Sequence, residues 1–277
     1  MPPTGIAAGI FSALSFGAGD FAGAFAARRA GALIVVAGAH LTGLLALLIG
    51  VLVLRPPLPD LGPALIGVAA GVAGAGGLAA LYRGMSLGSM GIVTSLSGAG
   101  SLAIPLIAGA VVGASVAPLQ MAGVACTAAA AAAAGGASRD EVGRRALLLA
   151  AAAAIGFGTW YVLLDLAARG GDPLWALVFS RATSAALTAA VAVGRFDRAR
   201  FPLRIVVAAG LLDVGGNVFY VVAREEIPIG LAAALSGLYP IVTMVLARFV
   251  LGERLPRLGQ VGVALALLGI VLISAGG

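Results

Sequence analysis

Four ionisable side chains fall within long apolar stretches of this 277-residue sequence: Asp20, His40, Arg181 and Asp213. A charge at the centre of a membrane is disfavoured by about 2.5 to 3.5 kcal/mol even on the lenient insertion scale, so each such group is a functional candidate by default. Arg181 and Asp213 lie near the middles of two successive apolar stretches joined by a short connection. They are expected at similar depth and in contact, either as a structural ion pair or as a pair that opens or exchanges protons during a cycle. His40 is the sole histidine; its imidazole titrates near neutral pH and suits proton coupling, or it hydrogen-bonds as a packing residue. Asp20 closes the stretch "GAGD" (Gly17 to Asp20), where it either binds a substrate amine inside a cavity or reaches towards water from a helix end.

Aromatic and hydroxyl side chains supply the remaining candidates. Trp160 and Tyr239 lie deep in apolar stretches and are expected to wall a cavity against an apolar group. Tyr82 and Tyr220 lie closer to stretch ends, where an interfacial belt is the alternative. Ser97, Ser236 and Asn217 could hydrogen-bond a zwitterion, although serines also satisfy themselves on the preceding turn. Pro105 and Pro240 each remove a backbone donor from the middle of a helix, so both helices should bend, as gating or as cavity-shaping elements.

The elements that must hold these groups are legible from composition. Hydrophobic residues make up 61% of the chain and charged residues 10%, with a mean hydropathy of +1.11, which belongs in a bilayer rather than in water. A crossing needs roughly 20 apolar residues, and ten stretches qualify: 4–27, 31–54, 62–83, 88–112, 116–136, 146–168, 172–194, 204–223, 229–250 and 256–275. Connections are short, so function must reside among the helices. The first stretch is too long and lacks the basic start of a cleavable signal, so it is expected to remain as a span. A single cysteine, Cys126, excludes an intrachain disulfide framework and a cysteine metal cluster; no metal or cofactor is expected. The net charge of +6 rests on arginine alone and suits loops facing anionic headgroups better than nucleic acid.

The sequence repeats itself. "VAAGVAGAGG" (Val68 to Gly77) returns as "VAAGLLDVGG" (Val207 to Gly216), and the same 139-residue offset aligns Gly17 and Gly19 with Gly156 and Gly158, Gly91 with Gly230, Ser97 and Gly98 with Ser236 and Gly237, and Gly113 with Gly252. One constant offset over several helices reports an internal repeat. Residues 1–137 form the first five-helix repeat and 138–277 the second. Five is odd, so the second half enters the membrane from the opposite side, the inverted build of secondary transporters with a site near the midplane. An offset of 141 brings His40 to Arg181. Arg55, Arg169 and Arg224 fall on the N-terminal side; Arg28, Arg29, Arg83, Arg139, Arg144, Arg145, Arg195, Arg198, Arg200, Arg204, Arg248, Arg254 and Arg257 fall on the other. The positive-inside rule then puts both termini outside the cytoplasm.

The segment "LYPIVTMVLARFVLGERLPRLGQVGVALALLGIVLI" (Leu238 to Ile273) resembles the closing helices of the drug/metabolite transporter superfamily, in its EamA-like branch. The marks are the proline of the ninth helix, "LGERL" at Leu251 to Leu255 and the glycine-rich tenth helix. Within that branch the chain looks most like the YddG-type amino-acid exporters. The resemblance implies a gradient-driven or proton-linked carrier of small metabolites, with both termini in the cytoplasm, against the arginine count.

The expectation is therefore an all-α integral membrane protein of the bacterial inner membrane, with ten transmembrane helices as two inverted five-helix repeats. Helices 1, 3, 4, 6, 8 and 9 border a central cavity, and small polar metabolites, amino acids foremost, are exported by alternating access. The same-class alternative is a multidrug or organic-cation efflux carrier, which needs an unpaired membrane acid and aromatic walls. A distant alternative is an intramembrane hydrolase. "GAGD" has the form of the intramembrane aspartyl proteases, but its repeat counterpart "GFGT" (Gly156 to Thr159) lacks the acid, and no convergent nucleophile or acid pair accompanies it. The implied partners are a small-molecule substrate, the lipid bilayer and protons.

Overall fold

The computed structural model describes residues 2–111, 116–137, 143–194, 196–197, 199–227 and 229–275. Gly113 of the repeat, Arg139, Arg195 and Arg198 of the arginine count, and residue 138, where the two halves were expected to divide, lie outside the described residues. All regular structure in the described residues is helical: α1 (Pro3–Ala30), α2 (Ala32–Leu54), α3 (Leu61–Leu87), α4 (Met90–Val111), α5 (Pro118–Ala137), α6 (Arg144–Arg169), α7 (Pro173–Ala192), α8 (Leu203–Glu226), α9 (Ile229–Gly237), α10 (Tyr239–Leu251) and α11 (Arg257–Ala275).

Punctuation follows local chemistry. Gly31 takes φ 86° between α1 and α2, which a residue without a Cβ adopts freely, so two long helices turn back on each other within one residue. Asp172 caps α7 by accepting from the Leu174 amide at 2.8 Å, and Pro173 follows where its missing N–H is harmless. Eight of the described helices, α1 to α4, α6 to α8 and α11, are long and apolar enough to cross a membrane.

The ninth apolar stretch departs from expectation. It is split at Leu238 into α9 and α10, because Pro240 offers no amide to the preceding turn and its ring crowds the carbonyl there. Pro240 instead occupies the first turn of α10, a position that tolerates it. Pro105 behaves differently: α4 runs through it as one helix.

Large apolar side chains point outward and small ones inward. Leu41, Leu45, Ile49 and Leu52 form an exposed stripe on α2, whereas the interior is dominated by alanine, glycine and serine. In lipid the apolar exterior is matched to its solvent, and helices associate through close backbone approach instead. The main packings are α3 and α4 on α6, α1 on α8, α5 on α11 and α2 on α7, each joining a helix before residue 138 to one after it. Gly156 shows how close they come: a Cβ there would lie 2.6 Å from the Gly77 Cα of α3. The matched glycines of the repeated phrase make matched contacts. Gly71 of α3 abuts the Ser180 carbonyl of α7, and Gly210 of α8 abuts the Ala39 carbonyl of α2.

Candidate functional site

A cavity of about 260 Å³ opens between α1, α2, α3, α4, α6, α7, α8, α9 and α10, and Asp20, His40, Arg181 and Asp213 all line it. The tight α1–α8 seam brings the two acids to the same cavity: a Cβ on Gly19 would lie 3.4 Å from the Asp213 amide, and Asp20 is the next residue.

Arg181 organises the polar wall. Its Nη2 meets Asp213 Oδ2 at 2.5 Å, its Nη1 donates to His40 Nε2, and the residue is 7% exposed. A guanidinium has no acceptor, so His40 Nε2 must accept and His40 Nδ1 carries the proton, which it donates to Ser184 Oγ. The Ser184 carbonyl in turn accepts from Thr188 Oγ1 at 2.6 Å. The result is a continuous chain, Asp213 to Arg181 to His40 to Ser184, across α8, α7 and α2. Two donors remain unmatched beside it. Arg181 Nε and Ser236 Oγ are buried without a hydrogen-bond partner, and both residues line the cavity.

Asp20 stands apart from this chain. The ion pairs among the described residues are Arg169–Asp165, Arg181–Asp213 and Arg200–Asp197, so the Asp20 carboxylate faces the cavity without a cation. With His40 neutral by its hydrogen bonds, the lining carries two acids against one arginine.

Aromatic rings supply the apolar wall: Phe16, Phe157, Trp160, Tyr161, Tyr220 and Tyr239. Trp160 donates from Nε1 to Ser180 Oγ at 2.9 Å and fits because Gly74 opposite lacks a Cβ, which would lie 2.9 Å from Trp160 Cδ1. Tyr239 packs edge-on to Phe16, with centroids 6.4 Å apart, at the break between α9 and α10. Asn217 donates to the Asp213 carbonyl at 2.8 Å.

Sequence reasoning named Asp20, His40, Trp160, Arg181, Asp213, Asn217, Ser236 and Tyr239, and the fold gathers these around one cavity. Two expected cavity residues are elsewhere. Ser97 is buried in α4 and donates back to the Val93 and Thr94 carbonyls, the self-satisfaction open to serine. Tyr82 is 1% exposed in the apolar core, stacked against Gly23 of α1, and is neither cavity wall nor interfacial residue. Pro105 does not line the cavity, and Pro240 acts through the helix break that positions Tyr239.

Sequence reasoning missed Phe16, Phe157, Tyr161, Ser180 and Ser184. Phe16 and Phe157 adjoin the repeat's glycines Gly17, Gly156 and Gly158 in sequence, and Tyr161 follows Gly158 by three residues, which was the available signal. It also missed the role of Glu253 in "LGERL". Glu253 accepts from the Met90 and Gly91 amides at 3.1 and 3.3 Å and from Ser89 Oγ, so a carboxylate from the α10–α11 connection caps the N-terminus of α4.

Comparison with known proteins agrees with this architecture. A solved structure described only as "Crystal structure of protein" superposes with a TM-score of 0.63 at 18% identity, covering 98% of this chain and 96% of its own. At that identity the likeness concerns the fold alone. No curated protein matches the sequence. Residues 144–275 match the sequence model of the EamA-like transporter family. The match over residues 144–275 and the eight helices long and apolar enough to cross a membrane support a multi-pass membrane transporter.

Proposed function

We propose that the chain is a secondary transporter that exports small zwitterionic metabolites, amino acids first among them, through alternating access of two inverted five-helix halves, residues 1–137 and 138–277. The observation that carries the reading is the set of unmatched polar groups around one cavity. Asp20 offers an unpaired carboxylate to an ammonium, while Arg181 Nε and Ser236 Oγ offer unmatched donors to a carboxylate. Buried donors without partners are rare in native proteins, and a ligand bearing both charges would satisfy them together. A cavity of about 260 Å³ suits a cargo of that size, since sites for drug-sized ligands run to about 300–1,000 Å³. The matched glycine contacts of α3 with α7 and of α8 with α2 support the paired halves.

The test is uptake of radiolabelled amino acids into proteoliposomes, with and without an imposed pH gradient. Saturable uptake of a few neutral amino acids supports the reading, and a dependence on the gradient supports proton coupling through His40. Absence of flux in a folded preparation overturns the amino-acid assignment.

Organic-cation efflux is the second reading, favoured by one observation: the unpaired Asp20 shares its cavity with six aromatic rings, and aromatic faces attract cations. Asp20→Asn separates the two. Loss of cation transport with amino-acid transport intact favours the second.

A further inference from the structure

The α2–α7 pair has two faces. One carries His40, Ser180, Arg181 and Ser184. The other forms a second, separate hollow of about 580 Å³, within the roughly 300–1,000 Å³ of ligand sites and lined by apolar side chains throughout. Ile34, Gly38 and Leu41 of α2 make one bank, and Ala182, Ala186 and Ala189 of α7 make the other. Leu41 is half exposed, so the groove opens outward, towards the surroundings of the helix bundle.

Its length and ends are specific. It runs from Ile34 to Leu44 on α2 and from Ala182 to Ala192 on α7, eleven residues on each, whose ends lie about 15 Å apart along the helix. The hydrocarbon core is about 30 Å thick, so the groove covers one leaflet, from the depth of His40 to one membrane face. At that face its rim is lined by an aromatic pair: Phe201 lies against Gly38, and Phe196 packs on Phe201 with centroids 5.2 Å apart. The same end is basic. Arg200 precedes Phe201, Arg204 lies in the first turn of α8, and Arg28 and Arg29 close α1 just before α2 begins; all four are exposed and outnumber Asp197, whose exposed 3.4 Å pairing with Arg200 a phosphate would replace.

We propose that this groove binds one acyl chain of an anionic phospholipid drawn from the arginine-rich leaflet, with the headgroup phosphate held at Arg200 and Arg204. Apolar depth confined to one leaflet together with positive charge only at the open end matches a lipid tail under its own phosphate, a polarity that a second protein helix does not require. The site is independent of what the cavity carries. Because α2 and α7 also hold the two ends of the His40–Arg181 contact, a chain wedged between them braces that contact from behind.

The experiment offers the purified, delipidated protein equal concentrations of phosphatidylglycerol and phosphatidylcholine, counts retained lipid by native mass spectrometry, and maps a photoreactive phosphatidylglycerol carrying its diazirine in mid-chain. One phosphatidylglycerol per chain, preferred over phosphatidylcholine and cross-linked to α2 or α7, is the expected result. Arg200→Gln with Arg204→Gln should remove the preference, at roughly fivefold per arginine. Ala186→Trp, or Ala189→Phe if the first fails to fold, should reduce retention several-fold. Equal retention of both lipids, no retention, cross-links confined to other helices, or unchanged retention in a folded groove variant each overturns the proposal. So does a wild-type dimer that Ala186→Trp converts to monomer, since a second copy would then fill the groove.

Discussion

His40 and Arg181 stand 141 residues apart in the chain and meet in the fold, with Arg181 Nη1 donating to His40 Nε2. The contact fixes the imidazole as its Nδ1–H tautomer and makes it an acceptor. A second proton, on Nε2, would aim two donors at each other. Protonation of His40 must therefore break its contact with Arg181.

The pH dependence of transport follows from that geometry. His40→Gln can still accept from Arg181 through its amide oxygen and donate to Ser184 through its nitrogen, but it cannot titrate. Folding should persist while the pH profile flattens over the range in which the unsubstituted protein's transport varies. Initial uptake rates across that range for both proteins are the check; parallel profiles would sink the idea.

Asp20→Asn should lower uptake of any amine-bearing substrate tenfold or more, because a hydrogen bond to a charged group contributes roughly 1.5–3 kcal/mol. Asp20→Glu should recover part of it. Direct binding of the identified substrate by calorimetry on both variants separates loss of affinity from loss of turnover.

Arg181 and Asp213 should behave as a coupled pair. Arg181→Met alone leaves Asp213 buried without its cation, and Asp213→Leu alone leaves Arg181; each should destabilise by roughly 3–5 kcal/mol. The double variant should be less destabilised than the sum of the two. Thermal unfolding of the four proteins in one detergent closes the cycle, and simple additivity would mean the two side chains act independently.

Glu253→Ala should lower stability by about 0.5–2 kcal/mol, the range for loss of a helix N-cap, with Glu253→Gln losing less. The unfolding midpoint measures it. An unchanged midpoint would show that the α4 amides find water or another acceptor.

Much of this was legible in the sequence because membrane interiors leave few polar residues to choose among. Arg181 and Asp213 pair as their equal depths required, and Trp160 and Tyr239 reach the cavity. What stayed hidden depended on neighbours far away in the chain. The offset placed His40 and Arg181 at equivalent positions, yet nothing local said that equivalent positions touch. Ser97 resembles Ser236 in the repeat, but one bonds its own helix while the other has no partner. Tyr82 looks like an interfacial ring until Gly23 supplies the hollow that buries it. The break at Leu238 was expected only as a bend, because Pro105 and Pro240 read alike in sequence and only one starts a new helix.

The cross-packing of α1 on α8 and α3 on α6 also fixes a timetable for synthesis. As the chain leaves the ribosome, α1 enters the bilayer and waits for roughly 170 residues before its principal partner exists, at least several seconds at about 5–20 residues per second. His40 waits 141 residues for Arg181, a polar ring in lipid with its eventual donor not yet made. The small-residue faces that later seat so closely are open during that interval to any other helix in the membrane. Assembly of this protein is thus a late event, completed only as the second half arrives.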